Sequence, residues 1–504
     1  MSITERMQNL FPIEGLFRDS TYENPLTNFV REHHASTTRA FDLGRVLSIT
    51  AVAATGIAAV VAITTATPVL GFGAGTYSLI SGSGLISLGA METVRFPLLN
   101  LIVPPHHSMS QHAYSPGEYE GSKLYYQGNV PILSLDYTSS FKAGEAHGYL
   151  CGAGISSLAW RSMFSMNRLL GLPRADQVKE TLAEVREKIP PQYLEEMNGL
   201  VLGYNKWVQE QPSWKCHPKL TADDFLLLHL TPDSLHFQPK KFEDGLKEST
   251  SPHKESTPPL LTVGCSVIVD RDAKGEWTFA RNMDWPSGGV AGTYSLIINR
   301  CYKDGRCDTA EVGFPGLIGT LTGMNDQGVC LAMNVCRGDT GTIEGMPAVF
   351  YNRTCLEEKR SVQKITESIQ KEAPLGPYHL NIADKETAAA IHFYQLPNGG
   401  HVIRPYQNGP LATFNHYYSP KPIDEEFVHN KERKEVFDEF CQKRDQKPIE
   451  TALSLKYIDN RDTVHTVVMH PSSRSFEVAF DNSFAAENSL HPIDTTQLFS
   501  RAEG

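Results

Sequence analysis

The spacing of apolar and polar positions divides the chain into stretches of different period. Residues 1–45 are polar, with histidines and scattered arginines. From Val46 to Met91 no residue is charged, and a second apolar piece, FPLLNLIVPP, follows Glu92 and Arg95. One membrane span needs about 20 residues, so this run suits two. Pro68, Gly71, Gly73 and Gly75 mark a turn near its middle. The pattern predicts a hydrophobic helical hairpin over roughly 46–70 and 76–103, inserted in a membrane. The competing reading is a buried apolar helix pair in a soluble domain.

Farther on, RADQVKETLAEVREKI (174–189) places Val178, Leu182, Val185 and Ile189 on one helical face. A second helix is predicted over 190–211, opened by proline. Residues 240–259 form a polar Lys/Glu/Ser/Thr/Pro linker. From 260 the period shortens to that of strands, broken by turns at Asp272–Gly275, Lys303–Arg306, Asp326–Gly328 and Ser472–Arg474. Helical patterns return at 359–371 and 424–441. Hairpins with separate helices, and no βαβ alternation, give an α+β class with antiparallel sheets covered by helices.

Composition narrows the function. The 504 residues carry a net charge of −11 with no basic block, which argues against nucleic acid as a partner. The nine cysteines make no CxxC pair and no Cys/His group has zinc spacing. No phosphate-cradling glycine loop is present, so neither metal nor cofactor is expected. The start, MSITERMQNLFPIEG, lacks the basic-then-apolar pattern of a conventional signal peptide.

Candidate chemistry gathers at Cys265, which opens the strand GCSVIVD after the polar linker. A hairpin turning near Gly275 folds Arg281 and Asp284 back beside it. A guanidinium favours a thiolate. A carboxylate can hold a free α-amine, and an N-terminal residue can use that amine as its base. The alternative for this pair is an ordinary ion pair across a hairpin.

GCSVIVD…ARNMDW resembles the opening of the mature chain in the penicillin acyltransferase-like family of N-terminal-nucleophile cysteine hydrolases. Choloylglycine hydrolase, acid ceramidase and N-acylethanolamine acid amidase are related to that family. EAHGYLCGAG (145–154) and PQYLEEMNGLVLG (191–203) resemble its propeptide segments. GMNDQGVCLAMNV (323–335), TFNHYY (413–418) and HTVVMHPSSRSFEVAF resemble its later blocks. The resemblance implies a four-layer αββα sandwich. It implies a propeptide segment 106–264, a catalytic core 265–504, and cleavage between Gly264 and Cys265 into fragments that stay associated. Cys265 would be the nucleophile, flanked by Arg281 and Asp284. Asn334 and Asn415 would contact the oxyanion or substrate carbonyl, and Arg433 would be the distal arginine. The α-amine, not His416, would be the base. Asn325 and Asn415 could instead be turn residues. The implied activity is hydrolysis or acyl transfer on a small-molecule or lipid amide.

Two other readings remain open: a papain-like cysteine protease using Cys265 with a histidine, and a membrane-anchored interaction protein without catalysis. The hydrophobic pair also resembles the two-lobed insertion domains of bacterial effectors placed in host membranes.

Overall fold

The computed structural model describes residues 113–159, 179–211, 217–233, 264–285, 291–336, 345–369, 374–393, 400–407, 409–416, 429–443, 447–460 and 462–499. All lie in the unit His106–Gly504. The segment 1–45, the hairpin expected over 46–103 and the linker 240–259 fall outside them. Among the described residues no helix is long and apolar enough to cross a membrane.

Sixteen strands form two sheets among the described residues. The ten-stranded sheet begins with β1 (Gly117–Tyr119), β2 (Ser122–Gln127) and β3 (Val130–Tyr137), all upstream of Cys265. The hairpin β4 (Gly264–Arg271) and β5 (Trp277–Asp284) belongs to the six-stranded sheet. Then β6 (Leu296–Tyr302), β7 (Thr309–Gly313), β8 (Thr322–Asn325), β9 (Cys330–Val335), β10 (Tyr378–Ala383), β11 (Ala388–Phe393) and β12 (His401–Pro405) complete the larger sheet. The smaller takes β13 (Leu411–Thr413), β14 (Thr463–His470), β15 (Ser475–Phe480) and β16 (His491–Ile493), in the order β13-β4-β5-β14-β15-β16. Every pairing is antiparallel except β3 with β6.

The turns lie where the sequence places them. Gly275 and Gly328 adopt φ of 89° and 80°, the left-handed region glycine enters without strain.

Strand alternation sets the layers. Val267, Val269, Phe279, Val467 and Val478 of the smaller sheet meet Ile132, Ile297, Val312, Met324 and Ala332 of the larger in one buried core. The outer face of the larger sheet is covered by α1 (Ser140–Leu150), α2 (Gly152–Leu158), α3 (Lys179–Arg186), α4 (Pro191–Glu210) and α5 (Ala222–His229). After α6 (Ala291–Tyr294), α7 (Ala348–Glu358) and α8 (Val362–Ser368) join that layer. The outer face of the smaller sheet packs on α9 (Asn430–Cys441) and the 3-10 turn Ile449–Ser454. The result is a mixed α/β sandwich of helix, sheet, sheet and helix.

The predicted helix over 190–211 is α4. It packs backbone to backbone on α1, because glycines face each other. A Cβ on Gly144 would lie 1.9 Å from the Glu196 carbonyl oxygen, and one on Gly203 1.9 Å from that of Glu145.

Candidate active site

Cys265 and Arg281 point between the sheets. Val267 pairs with Arg281 and Cys265 with Met283, so the guanidinium sits diagonally from the thiol. Arg281 Nη2 donates to Cys265 Sγ at 3.1 Å and to the Met333 carbonyl at 2.9 Å. Its Nη1 donates to the Thr322 hydroxyl. No carboxylate pairs with it among the described residues.

Cys265 is 2% exposed, and burial, aided by the charge of Asp284, pushes its pKa up; Arg281 and Arg433 oppose that push without overcoming it. A nearby guanidinium was expected to favour the thiolate, and Arg281 does pull the pKa down, but with the Gly264–Cys265 bond intact burial outweighs it.

Asp284 takes a different place from the one expected. Three residues from Arg281 on a strand, it points to the opposite face. There it pairs with Arg433 of α9 and accepts from the Thr463 hydroxyl at 2.7 Å. The Arg281–Asp284 pair therefore does not form. The Cys265 amide N–H instead donates to Asn415 Oδ1 at 3.0 Å. Arg433 Nη1 donates to the Cys265 carbonyl at 3.0 Å and to Asn415 Oδ1 at 3.3 Å. The distal arginine is thus one residue's reach from the nucleophile.

The two asparagines divide their work. Asn334 Nδ2 faces the carbonyls of Thr413 (2.8 Å), Phe414 (3.2 Å) and Cys265 (3.3 Å). Its Oδ1 accepts from Asn381 Nδ2 at 3.4 Å. Asn415 Nδ2 spends one bond, on the Val335 carbonyl at 2.8 Å. Asn325 is a turn residue: its Oδ1 accepts from the Gln327 and Val329 N–H groups, 3.1 and 3.0 Å away.

An apolar cleft lies at the same end of the sandwich. Leu158, Leu228, Pro232, Trp285, Phe314, Leu317 and Leu321 line it. Trp285 follows Asp284, which pairs with Gly264. Phe314 packs on His465, with ring centroids 4.7 Å apart. Cys265, Met283 and His465 form one row across β4, β5 and β14. Two strand spacings, about 10 Å, therefore separate the Cys265 and His465 backbones. Among the described residues no group of His, Cys, Asp and Glu could hold a metal.

No curated protein matches the sequence. A Caenorhabditis elegans N-acylethanolamine-hydrolyzing acid amidase ortholog is similar in structure, with 16% identity and TM-score 0.35, over 41% of this chain and 93% of that one. A mutant conjugated bile acid hydrolase from Clostridium perfringens has 15% identity and TM-score 0.34, over 48% of this chain and 94% of that one. The family model described as acyl-coenzyme A:6-aminopenicillanic acid acyl-transferase matches residues 271–484, starting past Cys265 and taking in Arg281, Asp284, Asn334, Asn415 and Arg433. That stretch of the chain is a penicillin acyltransferase-like domain.

Proposed function

We propose that the chain is an enzyme acting on amide bonds, a thiol amidohydrolase or acyltransferase activated by its own cleavage between Gly264 and Cys265. The observation that carries this is the Arg281 guanidinium, paired with no carboxylate among the described residues, 3.1 Å from the Cys265 sulfur, with the Cys265 nitrogen held on Asn415.

Cleavage turns that nitrogen into an α-amine, with an ordinary pKa of about 7.7–8.0, suited to a base near neutral pH. Asn415 Oδ1, rather than Asp284, then orients it. The amine takes the thiol proton, and Arg281 stabilises the thiolate. Sulfur attacks the amide carbonyl, and the remaining Asn415 Nδ2 hydrogen is available to the oxyanion. Asn334, committed to backbone carbonyls, keeps the strands in place. The substrate amine leaves with the proton, and water or another amine resolves the thioester.

Phe314 of the apolar cleft packs on His465, two strands from Cys265, and this apolar lining would suit a hydrophobic acyl group. A papain-like arrangement is disfavoured: the thiol opens a strand, and its hydrogen-bond partner is a guanidinium. β3 and α4 precede the cleavage point yet pack within the larger sheet and its helical cover, so the fragments are expected to stay together. The membrane hairpin at 46–103 remains part of the proposal, and deleting 1–105 should release the enzyme from the membrane fraction.

Intact-mass analysis with N-terminal sequencing of the smaller fragment tests the maturation. A start at Cys265 is expected, and any other start overturns the assignment. Wild type and Cys265→Ala are then compared on N-acyl amides of increasing chain length.

A further inference from the structure

We propose that His379 and His392 are positioning residues that clamp Asn415 from the opposite sheet, an inference that rests on the thiol mechanism above. Asn334, His379 and His392 form one row across β9, β10 and β11. All three are fully buried and face the smaller sheet. Asn334 Nδ2 donates to the Phe414 carbonyl, and His379 Nε2 lies 2.9 Å from the His416 carbonyl. The residue between those two carbonyls is Asn415. Its backbone is thus held on both sides by the larger sheet, while its side chain reaches the Cys265 nitrogen.

The bonds fix the protons. A carbonyl only accepts, so His379 carries its hydrogen on Nε2. The neutral ring then leaves Nδ1 as an acceptor. His392 Nδ1 lies 2.9 Å from that atom, so it must be the donor. His392 therefore selects the tautomer of His379 that can hold His416. Burial keeps both rings neutral, with His379 pushed down to about 3. Two apolar residues here would fill the space but leave the His416 carbonyl without this donor.

The first test needs no catalysis. Nitrogen-15 spectra of the imidazoles in the full-length Cys265→Ala protein at neutral pH should show His379 as the Nε2–H tautomer and His392 as the Nδ1–H tautomer. The reverse assignment for His379 overturns the clamp. The second test uses turnover. His392→Leu should lower kcat about tenfold with KM within twofold, and slow self-cleavage in parallel. His392→Asn, which can still donate to His379 Nδ1, should recover most of both. His392→Leu with wild-type kcat, or Leu and Asn variants equally impaired, overturns the proposal. If wild type neither cleaves nor hydrolyses amides, the proposed function fails, and the spectra still decide the clamp.

Discussion

Two buried arginine centres in this molecule are built in opposite ways. Around Arg300 and Arg353, both fully buried, charge is matched. Arg353 pairs with Glu196 at 2.7 Å and with Glu357, and Arg300 with Glu311. Arg306 reaches Glu357 at 3.0 Å. Three arginines face three glutamates, and Tyr137 accepts from Arg300 and Arg353 at 3.1 and 2.9 Å. Around Cys265, among the described residues, two arginines have one ion-pairing carboxylate between them, Asp284, which is committed to Arg433. Every arginine of the first centre is matched by a carboxylate, Arg306 by Asp304 as well, and it contains no nucleophile. The second leaves Arg281, beside the thiol, with no carboxylate partner among the described residues. A buried charge left unpaired is costly, and forming a thiolate or an oxyanion relieves that cost. The imbalance is a mark of chemistry, the balance a mark of architecture.

The strongest way to break the comparison is to remove the group that the spare charge serves. Cys265→Ala should abolish both self-cleavage and amide turnover while leaving the fold intact. Residual cleavage on a denaturing gel would move the nucleophile elsewhere.

Matched substitutions at the two arginines sharpen it. Arg353→Met takes the nearest cation from Glu196 and one of two from Glu357, and should destabilise the protein by about 3–5 kcal/mol, read as a lowered urea midpoint. Arg281→Met strands no carboxylate. It should cost about 100- to 1,000-fold in kcat, on the scale of losing one oxyanion donor. Its unfolding free energy should shift by no more than about 1–2 kcal/mol, for the hydrogen bonds lost. If the two variants behave alike, the contrast between the centres is wrong.

The sequence showed the second half of the fold far better than the first. Glycines at 275, 305 and 328 sit in turns between alternating strands, and such signals are local. The strands β1–β3 join the sheet through a parallel pairing of Ile132 with Ile297, a contact between distant segments that leaves no local trace. Gly144 and Gly148 give no local sign of their role, which is the close approach of α1 to α4. At the site, hairpin geometry was enough to bring Arg281 to Cys265. The same reasoning brought Asp284 back opposite Gly264, but its odd separation from Arg281 turns its side chain to the other face, toward Arg433. His379 and His392 were not legible, because a single histidine in a strand carries no periodic signal. The raised pKa of Cys265 depends on what buries it, which only the tertiary structure supplies.

The smallest effect separates the two centres by pH. His147 and His229, from α1 and α5, accept the N–H groups of Gly316 and Ile318 at 3.0 and 2.8 Å. They thereby hold the loop carrying Phe314, Leu317 and Leu321 against the cleft. Burial, reinforced by the positive charges of Arg300 and Arg353, pushes His147 down to about 3 and His229 to about 4. An unfolded histidine titrates near 6.5. Between pH 6.5 and about 4 the unfolded chain therefore binds protons that the folded chain refuses. This contribution to stability is complete above 6.5 and lost as pH falls. Asp233 and Asp459, raised to about 7 and about 8, act in the opposite sense over the same window. The informative quantity is thus a difference between variants, in which the aspartates cancel. His229→Gln keeps an oxygen acceptor for Ile318 but cannot titrate. Relative to this variant, wild type should lose about 2 kcal/mol of unfolding free energy between pH 7 and pH 5. Urea denaturation of both proteins at the two pH values measures it. Parallel losses would mean that His229 is not held neutral by the loop it supports.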